Sequence, residues 1–293
     1  MSVRKAVIPA AGYGTRFLPV TKTVPKEMLP IMARPVIQYV VEAAVASGLK
    51  DIILVTGSNK KALEDYFDTN FELQWTLERA GKLDLLHEVE RTSGLAHIVY
   101  VRQTEPLGNG HAVLMARSVV GDEPFVVLWG DDVLIADPPV PQQLIDVFER
   151  YGGPVIGVRK VPESDVEKYG VLAVEPVGDG VYRALSVVEK PKREEAPSNL
   201  AQIGGFVLTP DIFDILQRAS IGHSGELYLA DALNTLMAER PVYAYEFTGR
   251  RYDAGNKLDY LRANVELALE DPEIGPQFRR YLESVSAEAA LPQ

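Results

Sequence analysis

Residues 5–19 read KAVIPAAGYGTRFLP: a short apolar stretch, Lys5 to Pro9, runs straight into a loop carrying Gly12 and Gly14. A strand that ends in a glycine-rich turn marks an open α/β sheet, in which ligands gather at the carboxyl ends of the strands. Three kinds of loop fit that outline. A dinucleotide fingerprint, G-x-G-x-x-G, needs a third glycine for close helix–strand packing, and bulky Phe17 stands there instead. A P-loop needs Gly-Lys-Ser/Thr, and none follows. In the third kind the glycines let backbone N–H groups approach phosphate oxygens, Arg16 adds a fork of donors, and Lys26, in PKEMLP (25–30), adds a mobile point charge. Two cations beside an N–H-rich loop suit a triphosphate better than a neutral nicotinamide. The two glycines taken alone are as compatible with a plain turn.

Working outward, apolar clusters recur at KAVIPA (5–10), DIILVTG (51–57), HIVYVRQ (97–103) and FVVLWGDD (125–132). Between them, helical spacing shows in PVIQYVVEAAVASG, closing at Gly48, and HAVLMARSVVG, closing at Gly121. Alternation of this kind predicts a mixed, mostly parallel sheet with helices on both faces. After Pro154 the pattern changes. GVLAVEPVGDGVYRALSVVEKP reads as a hairpin turning at Gly178-Asp179-Gly180, a β-rich insertion on its own side of a cleft. AQIGGFVLTPDIFDILQ follows as strand into helix, and GELYLADALNTLMAER as a helix with leucines and alanines on one face. From NKLDYLRANVELALED onward the chain is helical except at Pro272 and Gly275-Pro276. The expected organisation is a single domain over 1–293, with 1–153 mainly nucleotide-binding, 154–255 mainly sugar-side and 256–293 the C-terminal helices.

Composition narrows the functional classes. With 293 residues, 46% hydrophobic and 24% charged, the chain is neither disordered nor fibrous. A net charge of −11 argues against a general nucleic-acid surface, which needs clustered Lys and Arg. The absence of cysteine rules out disulfides and thiolate-bound zinc, so a catalytic metal must use oxygen or imidazole ligands. MSVRKAVIPAAG has no long apolar run, and no stretch reaches membrane-spanning length, so a cytoplasmic location without membrane contact is expected.

AVIPAAGYGTRFLPVTKTVPKEMLPI closely resembles the signature of the nucleoside-diphosphate-sugar pyrophosphorylases, and among them the bacterial uridylyltransferases acting on glucose 1-phosphate. The resemblance continues in order through RQTEPLGNGHAVLMAR, GDEPFVVLWGDD, VVEKP, APSNLAQIGGFVL and RRYDAGNKLDYL, over nearly the whole chain. It implies a glycosyltransferase-A-like nucleotidyltransferase fold and an Mg2+-dependent reaction of UTP with a sugar 1-phosphate, giving a UDP-sugar and pyrophosphate. It also implies a homodimer or homotetramer. In such a displacement one phosphate attacks another in line, so the obstacle is electrostatic repulsion, relieved by positioning and countercharge.

The same resemblance distributes roles. Arg16, Lys26, Asp131 and Lys190 carry the phosphate chemistry, while Ala10, Ala11, Gly12, Gly14, Thr15, Gln103 and Gly108 hold the nucleotide, with Gln103 reading the uracil edge. Asp131 is the Mg2+ ligand, Asp253 of YDAG resembles a second metal-facing carboxylate of related thymidylyltransferases, and Asp132 shapes the turn. Lys190 holds the sugar 1-phosphate, Glu189 the sugar hydroxyls, and Tyr169-Gly170 and Glu226 resemble further sugar-side positions. By position, Lys190 is expected to be held extended by Pro191, and His111 to cap or pack.

The chain departs from the uridylyltransferase pattern in three places: Asn109 in place of leucine within L-G-L-G-H, Gly205 and Phe206 in place of R-Y within G-R-Y, and Tyr228 and Ala230 in ELYLAD in place of E-I-Q-L-T-D. These changes open the sugar specificity. Other readings stay in view: the same chemistry with dTTP or another sugar 1-phosphate, a catalytically inert nucleotide-sugar sensor, and a Rossmann oxidoreductase. Retention of Arg16, Lys26, Asp131 and Lys190 weighs against the sensor, and Phe17 against the oxidoreductase.

Overall fold

In the computed structural model, which describes residues 2–219 and 225–289, thirteen strands are present. They are β1 (Lys5–Pro9), β2 (Pro30–Ile31), β3 (Arg34–Pro35), β4 (Asp51–Thr56), β5 (His97–Arg102), β6 (Phe125–Val127), β7 (Asp132–Ile135), β8 (Val155–Lys160), β9 (Gly170–Gly178), β10 (Val181–Glu189), β11 (Leu200–Leu208), β12 (Val242–Glu246) and β13 (Arg250–Asp253). Nine form one sheet in the order β5-β4-β1-β6-β11-β8-β12-β10-β9. The first four are parallel neighbours, and in the whole sheet only β11 and β10 run against the common direction.

Burial explains this arrangement. β1 and β6 are apolar along their length because both faces are covered, as βαβ crossovers require. Alternate β1 side chains enter opposite cores: Val7 packs with Val127 and Phe213, while Ala6 and Ile8 pack with Ile37 and Val126. The loop opened by Gly12 therefore leaves the sheet at the carboxyl end of a central strand.

FVVLWGDD is not one strand. The hydrogen bonds along β1 continue to Leu128 and Gly130, whose N–H groups donate to Val7 O and Pro9 O at 3.0 and 3.2 Å, and Asp132 then opens β7. β7 pairs antiparallel with β13, setting Asp132 opposite Asp253. The hairpin β9–β10 turns through Asp179 and Gly180 at φ 54° and 74°, the left-handed pair of a tight hairpin turn. β10 joins β12, so the hairpin extends the central sheet.

Where the β12 ladder ends, at Ala184 opposite Val242, a side chain takes its place: Asn234 Nδ2 donates to Val187 O and Asn234 Oδ1 accepts from Val187 N, both at 2.8 Å. Asn234 sits on the helix Leu229–Glu239, which starts later than its apolar pattern suggests because 225–228 run as irregular chain. Helices Lys257–Glu270 and Gly275–Ala289 follow on either side of the Pro272 break; the last four residues of the expected helical tail lie outside the described residues.

Asn234→Ala leaves both backbone groups of Val187 without their partner. It should lower unfolding free energy by about 1–3 kcal/mol, measured by urea denaturation.

Candidate active site

The glycine loop folds back over Lys26. Gly14 takes φ 66°, its carbonyl accepts from Thr21 Oγ1 at 2.8 Å, and a Cβ there would come 3.1 Å from Lys26 Cβ. The stem of Lys26 thus runs beneath the loop, and its ammonium meets Asp131 Oδ2 in a short ion pair. Asp253 arrives through the β7–β13 ladder, with Ala254 N donating to Asp131 O at 2.9 Å. Both carboxylates close on Gly255: a Cβ there would lie 2.6 Å from Asp131 Oδ2 and 2.9 Å from Asp253 Oδ1.

Two cavities flank this point and share Lys26, Asp131 and Trp129. One, of about 320 Å³, is lined by Ala11, Gly12, Gln103, Gly108, Asn109 and Glu226. The other, of about 360 Å³, is lined by Gly14, Thr15, Arg16, Lys168, Tyr169, Arg251 and Asp253. Ala10 is buried beneath the loop.

Gln103, itself buried, donates through Nε2 to Gly108 O and to His111 Nδ1, both at 3.1 Å. His111 therefore serves to hold Gln103, in keeping with its packing role. Gly108 has φ 99°, and a Cβ would stand 2.7 Å from Leu227 O. The loop is laced to the chain before Leu229: Leu227 N donates to Leu107 O at 2.7 Å, Gly110 N to Leu227 O at 2.9 Å, and Asn109 Oδ1 accepts from Leu229 N at 2.9 Å. This lacing brings Glu226 beside Gln103 and Gly108. Glu226, read from sequence as sugar-side, lines the same cavity as the residue read as facing the base. Asn109 acts as a clasp, and Phe206 and Ala230 point into the core, Phe206 edge-on to Trp129 at 5.8 Å.

The hairpin residues form a third group. A Cβ on Gly170 would meet Glu189 Oε2 at 3.0 Å, and Lys190 Nζ lies 3.8 Å from Glu189 Oε1. Lys190 is not extended, as the following proline suggested. It takes φ 47° because the chain swings away from β10 while Lys190 N donates to Tyr169 O at 3.0 Å. That bond joins the hairpin end to the second cavity, which Tyr169 lines.

Asp132 does more than shape a turn. It is buried, and its Oδ1 accepts from Arg251 Nε at 2.6 Å. Burial pushes its carboxyl up to about 6 against the pull of Arg251, with Asp131 and Asp253 adding repulsion. Burial also raises Asp253, only partly opposed by Arg251. At Asp131 burial works upward but the Lys26 ammonium prevails and holds it below the ordinary carboxylate range; against its own desolvation, Lys26 is raised in turn. Arg251 and the wholly buried pair Lys60–Glu27 carried no local sequence signal, since an isolated Lys or Arg in a loop reads as solvated.

Among the described residues no three Asp, Glu, His or Cys side chains converge as a full metal cage. Two hard carboxylates on one side of an open cavity nevertheless fit Mg2+, which keeps waters and substrate phosphates as its other ligands. One ammonium and one carboxylate, Lys26 and Asp131, thus stand on the seam between the two cavities, with Asp253 beside them.

Residues 5–270 match the model of the nucleotidyl transferase family. The chain belongs to that family. A Staphylococcus epidermidis UTP–glucose-1-phosphate uridylyltransferase is 49% identical over 283 residues, 97% of this chain and 98% of that protein. A UTP-bound UGPase from Acinetobacter baumannii superposes with a TM-score of 0.89 at 40% identity, covering 96% of this chain and 99% of that one. A UDP-glucose pyrophosphorylase complexed with UDP-glucose gives 0.85 at 41%, covering 92% and 100%.

Gly255→Ala forces Asp131 and Asp253 apart. Its turnover should fall by about 10- to 100-fold in steady-state assays, with the melting temperature shifted by only about a few degrees.

Proposed function

We propose that this nucleotidyl transferase moves the uridylyl group of UTP to glucose 1-phosphate, releasing pyrophosphate, with Mg2+ as cofactor. The observation that carries the reading is the Lys26–Asp131 pair on the seam that the two cavities share, with Asp253 beside Asp131 at Gly255. The printed names of the relatives, including those bound to UTP and UDP-glucose, support uridine and glucose as the partners.

In this reading residues 1–153 supply the nucleotide side and 154–255 most of the sugar side. Gln103 has its amide nitrogen engaged with Gly108 and His111, so its Oε1 is the atom left to accept from the uracil N3–H. Ala11, Gly12, Gly14 and Thr15 present backbone to the nucleotide, and Arg16 and Lys26 countercharge the triphosphate. Lys190, with Gly170 and Glu189, holds the sugar 1-phosphate, and Glu226 accepts from a sugar hydroxyl.

A phosphate oxygen of the sugar 1-phosphate attacks the α-phosphorus of UTP, the bond from that phosphorus to the bridging oxygen breaks, and the electron pair leaves with pyrophosphate. No residue forms a covalent intermediate: repulsion between anions is the obstacle, and Lys26, Arg16 and Lys190 offset it. Asp131 and Asp253 would hold Mg2+, which supplies further countercharge when bound.

The reaction is assigned to the cytoplasm; among the described residues no helix is long and apolar enough to cross a membrane. A homodimer or homotetramer is supported by exposed Leu258, Leu261, Tyr281 and Val285 on the C-terminal helices.

Pyrophosphate release from UTP with Mg2+ should be fastest with glucose 1-phosphate when galactose and N-acetylglucosamine 1-phosphates are run beside it; preference for either of those, or for dTTP, overturns the assignment of substrates. Asp131→Asn removes the carboxylate charge while keeping its volume. It should lower turnover by at least about a thousandfold with an unchanged circular dichroism spectrum, and wild-type turnover would remove Asp131 from the chemistry.

A further inference from the structure

Behind Lys26 lies a second ion pair that the transfer reaction does not call for. Lys60 Nζ donates to Glu27 Oε2 at 2.7 Å, and each side chain is only 1% exposed. Taking two ions out of water carries a desolvation penalty, and a well-packed apolar pair holds a turn as well or better. Lys60 also stands at the N-terminal end of the helix Lys61–Phe67, where a cation is disfavoured. Stability therefore does not account for the pair.

Its position does. Glu27 follows Lys26 in the same single turn, Lys26–Met28, and is among the residues around the cavity that Gln103 lines. Glu27 Oε1 is buried without a hydrogen-bond partner among the described residues. Lys26 is attracted by Glu27 as well as by Asp131. A buried carboxylate next in sequence to a mobile ammonium competes for it, and the contest sharpens in a medium of low dielectric. Lys60 satisfies Glu27, and the Lys26 ammonium is found on Asp131.

We propose that Lys60 is a positioning residue for nucleotidyl transfer: by occupying Glu27 it leaves the Lys26 ammonium directed at the seam where the phosphates react. The inference rests on the transfer reading above. It makes the Glu27–Lys60 pair part of the reaction's machinery, although neither group touches the reacting atoms.

The test compares kcat and UTP KM of the wild type with Lys60→Met, Lys60→Gln, Lys60→Arg and the double variant Lys60→Met/Glu27→Gln, each checked for folding by thermal melting. Lys60→Met and Lys60→Gln should lose about 10- to 100-fold in kcat with a far smaller change in UTP KM, and Lys60→Arg should restore most of it. The double variant removes competitor and guard together, so its kcat should return to within about fivefold of wild type. A purely structural role moves the melting temperature and leaves the kcat of the folded enzyme in place. Wild-type kcat in folded Lys60→Gln, or a folded double variant as slow as the single ones, overturns the proposal. Where Lys60→Met does not fold, the kcat of folded Lys60→Gln decides the matter. A wild type that transfers no uridylyl group at all overturns the transfer reading instead.

Discussion

Like charges held side by side organise this molecule. Asp131 and Asp253 close on the Cα of Gly255, with Asp132 buried next to them, and three carboxylates so placed repel one another and lose hydration together. Each is answered from elsewhere in the chain: Asp131 by Lys26, Asp132 by Arg251, and Asp253 by the backbone N–H of Gly255 and the charge of Arg251. The ladder between β7 and β13 is the mechanical part of that answer, because its register sets Asp132 opposite Asp253. The charged site is assembled by the fold itself.

The sheet makes such an assembly possible. Parallel β1, β4, β5 and β6 end on one side, so the glycine loop, Gln103 and Asp131 emerge together although they are far apart in the chain. The reversed strands complete the other wall. β10 ends at Glu189 with Lys190 following, next to the edge strand β9, and the helix Leu229–Glu239 is tied to β10 through Asn234 and to the loop before His111 through Asn109. One helix thus spans the two halves of the cleft, and Asn109, which looked like a departure near the ligand, acts there as a clasp.

What was legible in the sequence was local in origin. Strand positions followed from apolar clusters between turn residues, the hairpin from Gly178-Asp179-Gly180, and the loop after β1 from Gly12, Gly14 and Arg16 in one short run. Lys26 and Asp131 could be singled out because each belongs to a motif readable within about ten residues. Lys190 was found in the same way, yet its backbone conformation was not, since a hydrogen bond to Tyr169 outweighs the bias of the following proline.

The tertiary structure decided which charges meet. Lys60 and Arg251 look like ordinary solvated cations in sequence, and only folding puts the first beside Glu27 and the second beside Asp132. Glu226 lies far from Gln103 in the chain, and the lacing of 107–110 against 227–229 brings both to one cavity. By itself the sequence determined where strands, helices and turns lie, because propensity, hydrophobic period and backbone freedom act between neighbours. The partners of each buried charge were left to the fold, because desolvation and Coulomb attraction act through space on groups that the chain brings together only once it is packed.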